Sequence, residues 1–307
     1  MIARSLLFVP GDSEKKLAKG EGVGADILIL DLEDAVAPER KSAARGLVHE
    51  YLLARPRRSG SKLWVRVNPL DTAECLLDLA AVVAARPDGI VQPKTRTADD
   101  VVRLARHLDQ LEAASGIATG QIKILPVATE TPEAMFTLGS YAKAGPRLYG
   151  LTWGAEDLSA AVGALANKDA GGAWTFPYQV ARALCIFAAS AAKVAAIDTL
   201  FADFRDSVGL RDACAEARRD GFVGKLAIHP DQVAVINECF VPNAEEVAHA
   251  RRIVELFAGN PGVAALQLDG RMLDIPHLRQ AENTLARASA ALAAPPPQEA
   301  PALRNAT

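Results

Sequence analysis

Eight short apolar runs, separated by longer stretches of mixed character, constrain this chain more than any other feature. They are SLLFV (5–9), DILILDL (26–32), KLWVRV (62–67), GIVQP (89–93), KILPVA (123–128), RLYGLTW (147–153), AIDTLF (196–201) and KLAIHP (225–230). Helical patterns fill most of the intervals. In TADDVVRLARHLDQLEAAS (97–115), Val101, Leu104, Leu108 and Leu111 recur at the three- and four-residue spacing of one buried helix face. Asp99 and Asp100 near its start and Arg103 and Arg106 deeper in suit the helix macrodipole. Several runs are apolar at consecutive positions, as parallel strands covered on both faces require. Eight strand–helix units of this kind predict an α/β fold, the closed (β/α)8 TIM barrel. An open doubly wound sheet is the alternative, but no strand–GxGxxG–helix fingerprint is present.

The alternation stops near residue 230, so the barrel is expected over 1–235 and a C-terminal helical extension over 236–294, with helices near 243–258 and 276–294. APPPQEAPALRNAT supplies a proline-rich tail, read as disordered over 295–307. Hydrophobic residues make up 50% of the 307, enough for a large core. With 34 basic against 37 acidic residues and no basic stripe interleaved with aromatics, nucleic acid is not an expected partner. The RPRR run at 55–58 reads as a solvated loop. No apolar stretch reaches the roughly 18 residues of a membrane span, and Cys75, Cys185, Cys214 and Cys239 lack CxxC spacing. The N-terminal apolar run is too short for a signal sequence, so the expectation is a cytoplasmic protein with reduced thiols.

In such a barrel the active site opens at the C-terminal strand ends. Polar residues gather there: Asp31, Glu33 and Asp34 after the second strand, Arg66 within the third and Asn68 after it, and Lys94 after the fourth. Glu130 follows the fifth strand, Asp157 the sixth, and His229 closes the eighth. Taken singly each has an ordinary reading. Asp157 could cap the helix LSAAVGAL, Arg66 could neutralise one acid, and His229 before Pro230 could be a hydrogen-bonded turn residue. Taken together they demand a counter-ion or an anionic ligand, because unpaired buried charges cost several kcal/mol each. Two carboxylates without Cys, HxH or HExxH favour Mg2+ over Zn2+, and Glu130 and Asp157 are the expected metal seat. An Arg beside such a metal can fork onto a substrate carboxylate or an enolate oxygen, which suits a 2-oxo acid and C–C bond cleavage.

The stretches RSLLFVPG, ILILDLEDAV, WVRVN, ATETP, WGAEDLSA and GKLAIHPDQ occur in the order found in the citrate lyase β-subunit-like family. This group, within the HpcH/HpaI aldolase/citrate lyase superfamily, includes malyl-CoA and citramalyl-CoA lyases, and the resemblance spans residues 3–290. It implies a TIM barrel and a Mg2+-dependent C–C lyase that cleaves a β-hydroxyacyl-CoA to acetyl-CoA and a 2-oxo acid, glyoxylate or pyruvate. Matched motif to motif, it implies Glu130 and Asp157 as metal ligands, with Glu130 and Arg66 also holding substrate, and Phe8, Lys15 and Lys19 against CoA. In LDGRMLDIPHL (268–278) it implies Asp274 as a catalytic acid/base that reaches a neighbouring subunit, and hence a homotrimer or hexamer. Glu33, Asp34, Lys94 and His229 are supporting candidates. Two other activities fit the same motifs: a citrate lyase β subunit acting on a carrier-bound thioester, and a CoA-independent pyruvate-type aldolase.

Overall fold

The computed structural model describes residues 3–56 and 60–292. Arg57 and Arg58 of the basic run, and the tail at 295–307, lie outside the described residues. The first half alternates β1 (Ser5–Pro10), α1 (Glu14–Gly20), β2 (Ile27–Asp31), α2 (Lys41–Leu53), β3 (Lys62–Arg66), α3 (Ala73–Val82), β4 (Gly89–Gln92) and α4 (Ala98–Ala114). The second half continues with β5 (Lys123–Pro126), β6 (Gly150–Thr152), α5 (Glu156–Ala161), α6 (Phe176–Ala191), β7 (Ala195–Asp198), α7 (Ser207–Asp220), β8 (Gly224–Ala227) and α8 (Pro230–Cys239).

All eight strands lie where the apolar runs predict them, parallel and in the order β5-β4-β3-β2-β1-β8-β7-β6. The seam between β5 and β6 closes through Ile124 N–H to Arg147 O (2.8 Å), Tyr149 N–H to Ile124 O (2.9 Å) and Ala128 N–H to Thr152 O (2.8 Å). The crossover before β6 departs from the helical expectation. It is built from two 3-10 turns, Glu133–Phe136 and Leu138–Lys143, in a segment punctuated by Pro132, Gly139, Gly145 and Pro146.

Strand parity sorts the core. Leu6, Ile27, Ile29, Trp64, Val91 and Leu125 fill the barrel interior, while Leu7, Leu28, Leu30, Leu63 and Val65 meet the surrounding helices. Trp64 occupies so much of the interior that a Cβ on Gly89 would lie 2.5 Å from its ring. The same parity turns Phe8, Asp31 and Arg66 inward at the C-terminal end, where the polar layer begins.

After α8 come α9 (Ala244–Ala258), β9 (Ala265–Leu268), β10 (Arg271–Asp274) and α10 (Ile275–Leu292). The two helices match the sequence reading to within two residues. The antiparallel hairpin between them was not anticipated, yet its signal is in the chain: Asp269 (φ 50°) and Gly270 (φ 79°) form the left-handed two-residue turn that joins tight hairpins. Ile253, Phe257, Leu273 and Ala281 form a small separate core for this unit. Among the described residues no helix is long and apolar enough to cross a membrane, and Cys75, Cys185, Cys214 and Cys239 are all free thiols.

Candidate active site

The register between β2 and β3 sets Arg66 directly beside Asp31. The guanidinium donates from Nε and Nη2 to the two Asp31 oxygens at 2.7 Å each, a bidentate fork. Its Nη1 lies 2.9 Å from Glu33 Oε2, and the Phe8 ring lies against its face with 4.7 Å between guanidinium carbon and ring centre. Burial works against the charge on Arg66, but the Asp31 hydrogen bond and the charges of Asp31, Glu33 and Glu130 outweigh it and raise its pKa. Asp31 also accepts from the backbone N–H of Glu33 (3.0 Å) and Ala35 (3.2 Å), which shapes the turn carrying the next two acids. One turn further round the rim, Asn68 is fixed by Asp78, by the Leu32 carbonyl and by Lys41.

Lys94 holds the cluster together, a larger part than that of a supporting residue. It takes a left-handed backbone conformation (φ 50°) just after β4. From there its N–H donates to Glu130 Oε2 at 2.5 Å, and its ammonium donates to Glu33 Oε1 at 2.8 Å. The same ammonium is 3.5 Å from both Asp34 and Asp157. Burial lowers the Lys94 pKa, but the Glu33 hydrogen bond and the surrounding carboxylates prevail and raise it. Glu33 moves up as well, chiefly through burial, with Arg66 and Lys94 opposing.

Glu130 is 5% exposed. Burial pushes its carboxyl up to about 8; the Lys94 N–H opposes this, and the charges of Asp157 and Glu33 add to it. Gly154 makes room for it. Thr129 Oγ accepts from Gly154 N–H at 3.1 Å, and a Cβ at 154 would come within 2.8 Å of Glu130 Cγ. Gly154→Ala is therefore expected to push the Glu130 carboxylate aside, lowering metal affinity about tenfold or more while leaving secondary structure intact; metal titration beside circular dichroism checks this. Asp157 is not the cap that one reading of the sequence allowed. Ala155 occupies the N-cap and Asp157 sits inside the first turn of α5, its side chain 35% exposed and facing Lys94.

Among the described residues, Asp31, Glu33, Asp34, Glu130 and Asp157 thus face two cations, Arg66 and Lys94. That excess of acid, with one buried carboxyl driven toward protonation, is what a bound divalent cation would relieve. No group of three His, Cys, Asp or Glu side chains among the described residues forms a metal cage. Two carboxylates that leave the other positions to water and substrate oxygens are the pattern suited to Mg2+.

Other candidates sit elsewhere. His229 takes the hydrogen-bonded turn position that the sequence allowed: it caps α8, accepting from Asp231 N–H at 3.3 Å in a capping box with Gln232, and it stacks on Phe204. Pro230 at the first helical position explains why. Phe8 supports Arg66 from inside the barrel. Lys15 and Lys19 are exposed on α1, beyond the mouth end of β1. Asp274 ends β10, with its carboxylate 2.5 Å from His277 Nδ1. Its hairpin lines a cleft with Arg4, which precedes β1, so the structure does not bring Asp274 to the acid cluster of its own chain.

A family model described as HpcH/HpaI aldolase/citrate lyase matches residues 4–230, from the start of the first strand to the end of the eighth. The chain belongs to this family. It is 33% identical over 293 residues to a citrate lyase subunit beta of Haemophilus influenzae, covering 95% of this chain and 98% of that one. It is 34% identical over 289 residues to a (3S)-malyl-CoA thioesterase of Cereibacter sphaeroides, covering 94% and 95%. The crystal structure of CitE from Mycobacterium tuberculosis, in complex with magnesium, acetoacetate and coenzyme A, superposes with a TM-score of 0.77 at 32% identity over 94% of this chain and 98% of that chain.

Proposed function

We propose that this family member is a Mg2+-dependent carbon–carbon lyase that cleaves a malyl-CoA or citramalyl-CoA type thioester to acetyl-CoA and a 2-oxo acid. The observation that carries the reading is the buried Glu130 carboxyl held by the Lys94 N–H at the barrel mouth, within a rim of acids that Arg66 and Lys94 only partly balance. Mg2+ held by Glu130 and Asp157 would supply Lewis-acid polarisation of the hydroxy-acid oxygens. Asp31 takes two of the five N–H donors of Arg66, leaving others for the oxygen that becomes the carbonyl. Lys94 keeps Glu33, Asp34 and Asp157 from repelling one another while substrate enters. Lys15 and Lys19 are assigned to the CoA phosphates. As the substrate hydroxyl becomes the carbonyl it gives its proton to Glu33 or Asp34 through water, the electron pair of the breaking C–C bond stays with the thioester as an enolate, and Asp274 from a neighbouring copy supplies the proton that makes acetyl-CoA.

Apolar side chains left bare on both sides support that last assignment. Phe136, Leu165 and Phe176 follow β5 and β6, where the barrel opens, and are 91%, 107% and 75% exposed. Met272 and Ile275 flank Asp274 and are 68% and 38% exposed. Covering such surface favours association, and we assign a homotrimer or hexamer in which the segment after residue 235 closes the next mouth. Asp274→Asn and Glu130→Gln assemblies should each be inactive, and mixing them after dissociation should restore activity in roughly a quarter of the sites by random assortment. A mixture that stays inactive while forming mixed oligomers, seen by native mass spectrometry, would remove Asp274 from the neighbour's site. A cytoplasmic location belongs to the same proposal, and the free thiols of Cys75, Cys185, Cys214 and Cys239 are compatible with it.

The deciding experiment follows products from L-malyl-CoA and both citramalyl-CoA enantiomers, with Mg2+ and with EDTA. Metal-dependent release of acetyl-CoA with glyoxylate or pyruvate is the expected result. Free CoA with malate would mean thioester hydrolysis. No turnover of any of the three would point to a carrier-bound thioester or a free hydroxy-oxo acid as substrate.

A further inference from the structure

The other end of the barrel carries chemistry that the acid cluster does not use. α10 passes the N-terminal ends of the strands, and beneath it lies a cleft of about 1240 Å3. Its floor includes Ile186, Val194, Val223 and Phe240. Four cationic side chains line it, Arg4, Lys123, Lys193 and Arg287, and no carboxylate does. Arg4 is matched by Asp26 at 2.7 Å, and Lys123 donates to the Pro146 carbonyl at 3.3 Å. Among the described residues, Lys193 and Arg287 have no acidic partner.

Arg287 is the informative member. Its guanidinium is half-buried, and first burial, then the charge of Arg218, disfavours its ionised form. Arg218 is itself satisfied by Glu246, so it has no carboxylate to lend. A guanidinium does not shed its proton inside a protein, so a half-buried one without a counter-charge is a standing cost that an anion would offset. Arg4 and Arg287 also line the adjoining cleft of about 1530 Å3 between α7, α8 and the hairpin, which joins the two spaces.

We infer that the cleft under α10 is a second ligand site, which takes a small molecule carrying phosphate groups on a planar or apolar body, of the nucleotide class. Arg287, Lys193 and Lys123 supply the charge-assisted donors that phosphate oxygens require. The apolar floor and a volume far beyond one phosphate ask for a body as well. Because the site lies at the opposite end of the strands from Glu130, occupancy leaves the mouth open.

Calorimetric titration of the full chain with ADP, pyrophosphate and adenosine tests this. ADP should bind saturably, more weakly at high salt, and adenosine should not. Arg287→Gln and Lys193→Gln should each weaken ADP about tenfold, and Lys193→Gln, outside the segment assigned to the neighbouring mouth, should leave turnover unchanged. Pyrophosphate binding as tightly as ADP, and equally sensitive to Arg287→Gln, would support the site and narrow its ligand to free phosphates. Absence of saturable heat from both ADP and pyrophosphate would overturn the inference. So would an ADP isotherm that neither variant changes, which would place the nucleotide at the mouth.

Discussion

Glu130→Gln should lower kcat/KM by about three orders of magnitude or more, yet leave the metal-free protein as stable as the parent or more so. The first half follows from the several kcal/mol that a bound metal contributes to a developing oxyanion; about 4 kcal/mol corresponds to roughly a thousandfold in rate. Gln keeps the shape and an oxygen that can accept from the Lys94 N–H, but it carries no charge to hold Mg2+ beside Asp157. The second half follows from burial. Glu130 has a folded-state pKa of about 8, against an ordinary value of 4.5. From 4.5 upward the folded state therefore holds a proton that the unfolded state has lost, and the difference persists until pH passes about 8. Stability associated with this group is complete below 4.5 and declines through that window. Other carboxylates titrate too, so the observable is the difference between variants. Melts in EDTA should show Glu130→Gln gaining on the parent steadily from pH 5 to pH 8. A constant offset across that range would mean that Glu130 is ionised throughout and that the burial argument is wrong.

How much of this could be read from the sequence differs by element. The strands were legible because a parallel strand covered on both faces is apolar at consecutive positions, and LILD or KLWV leaves little else to be. The proposed metal pair rests on the set rather than on either acid: Glu130 and Asp157 each allow an ordinary reading, and only the gathering of charged groups after the strands calls for a counter-ion. The partnerships were not legible. Asp31 and Arg66 are 35 residues apart, and only the register of β2 against β3 makes them neighbours. Lys94 reaches four carboxylates because its own backbone turns left-handed, which no local pattern announced. The ordinary reading of His229 was local and therefore legible: Pro230 after it and Gln232 beyond it spell a helix start. The Asp-Gly between ALQL and RMLD was likewise a hairpin signal of the ordinary kind.

Arg66 should separate structure from catalysis when it is replaced in two ways. Arg66→Ala leaves Asp31 and Glu33, 1% and 3% exposed, without their principal counter-charge. Removing one partner from a buried pair costs about 3–5 kcal/mol, so urea unfolding should show a large loss and activity should vanish with it. Lys94 limits the damage at Glu33 but does not reach Asp31. Arg66→Lys restores a positive charge without the planar fork, so the buried acids keep a counter-ion while the paired donors are lost. The expected cost in stability is about 1–2 kcal/mol, in line with one lost charge-assisted hydrogen bond. The expected loss in kcat/KM is about a hundredfold, because the donors that would meet the new carbonyl oxygen are no longer held in place. If Arg66→Lys instead loses activity only in proportion to its unfolded fraction, Arg66 serves the architecture of the rim alone. A loss confined to kcat/KM, with the fold intact, assigns the guanidinium to the reacting oxygen.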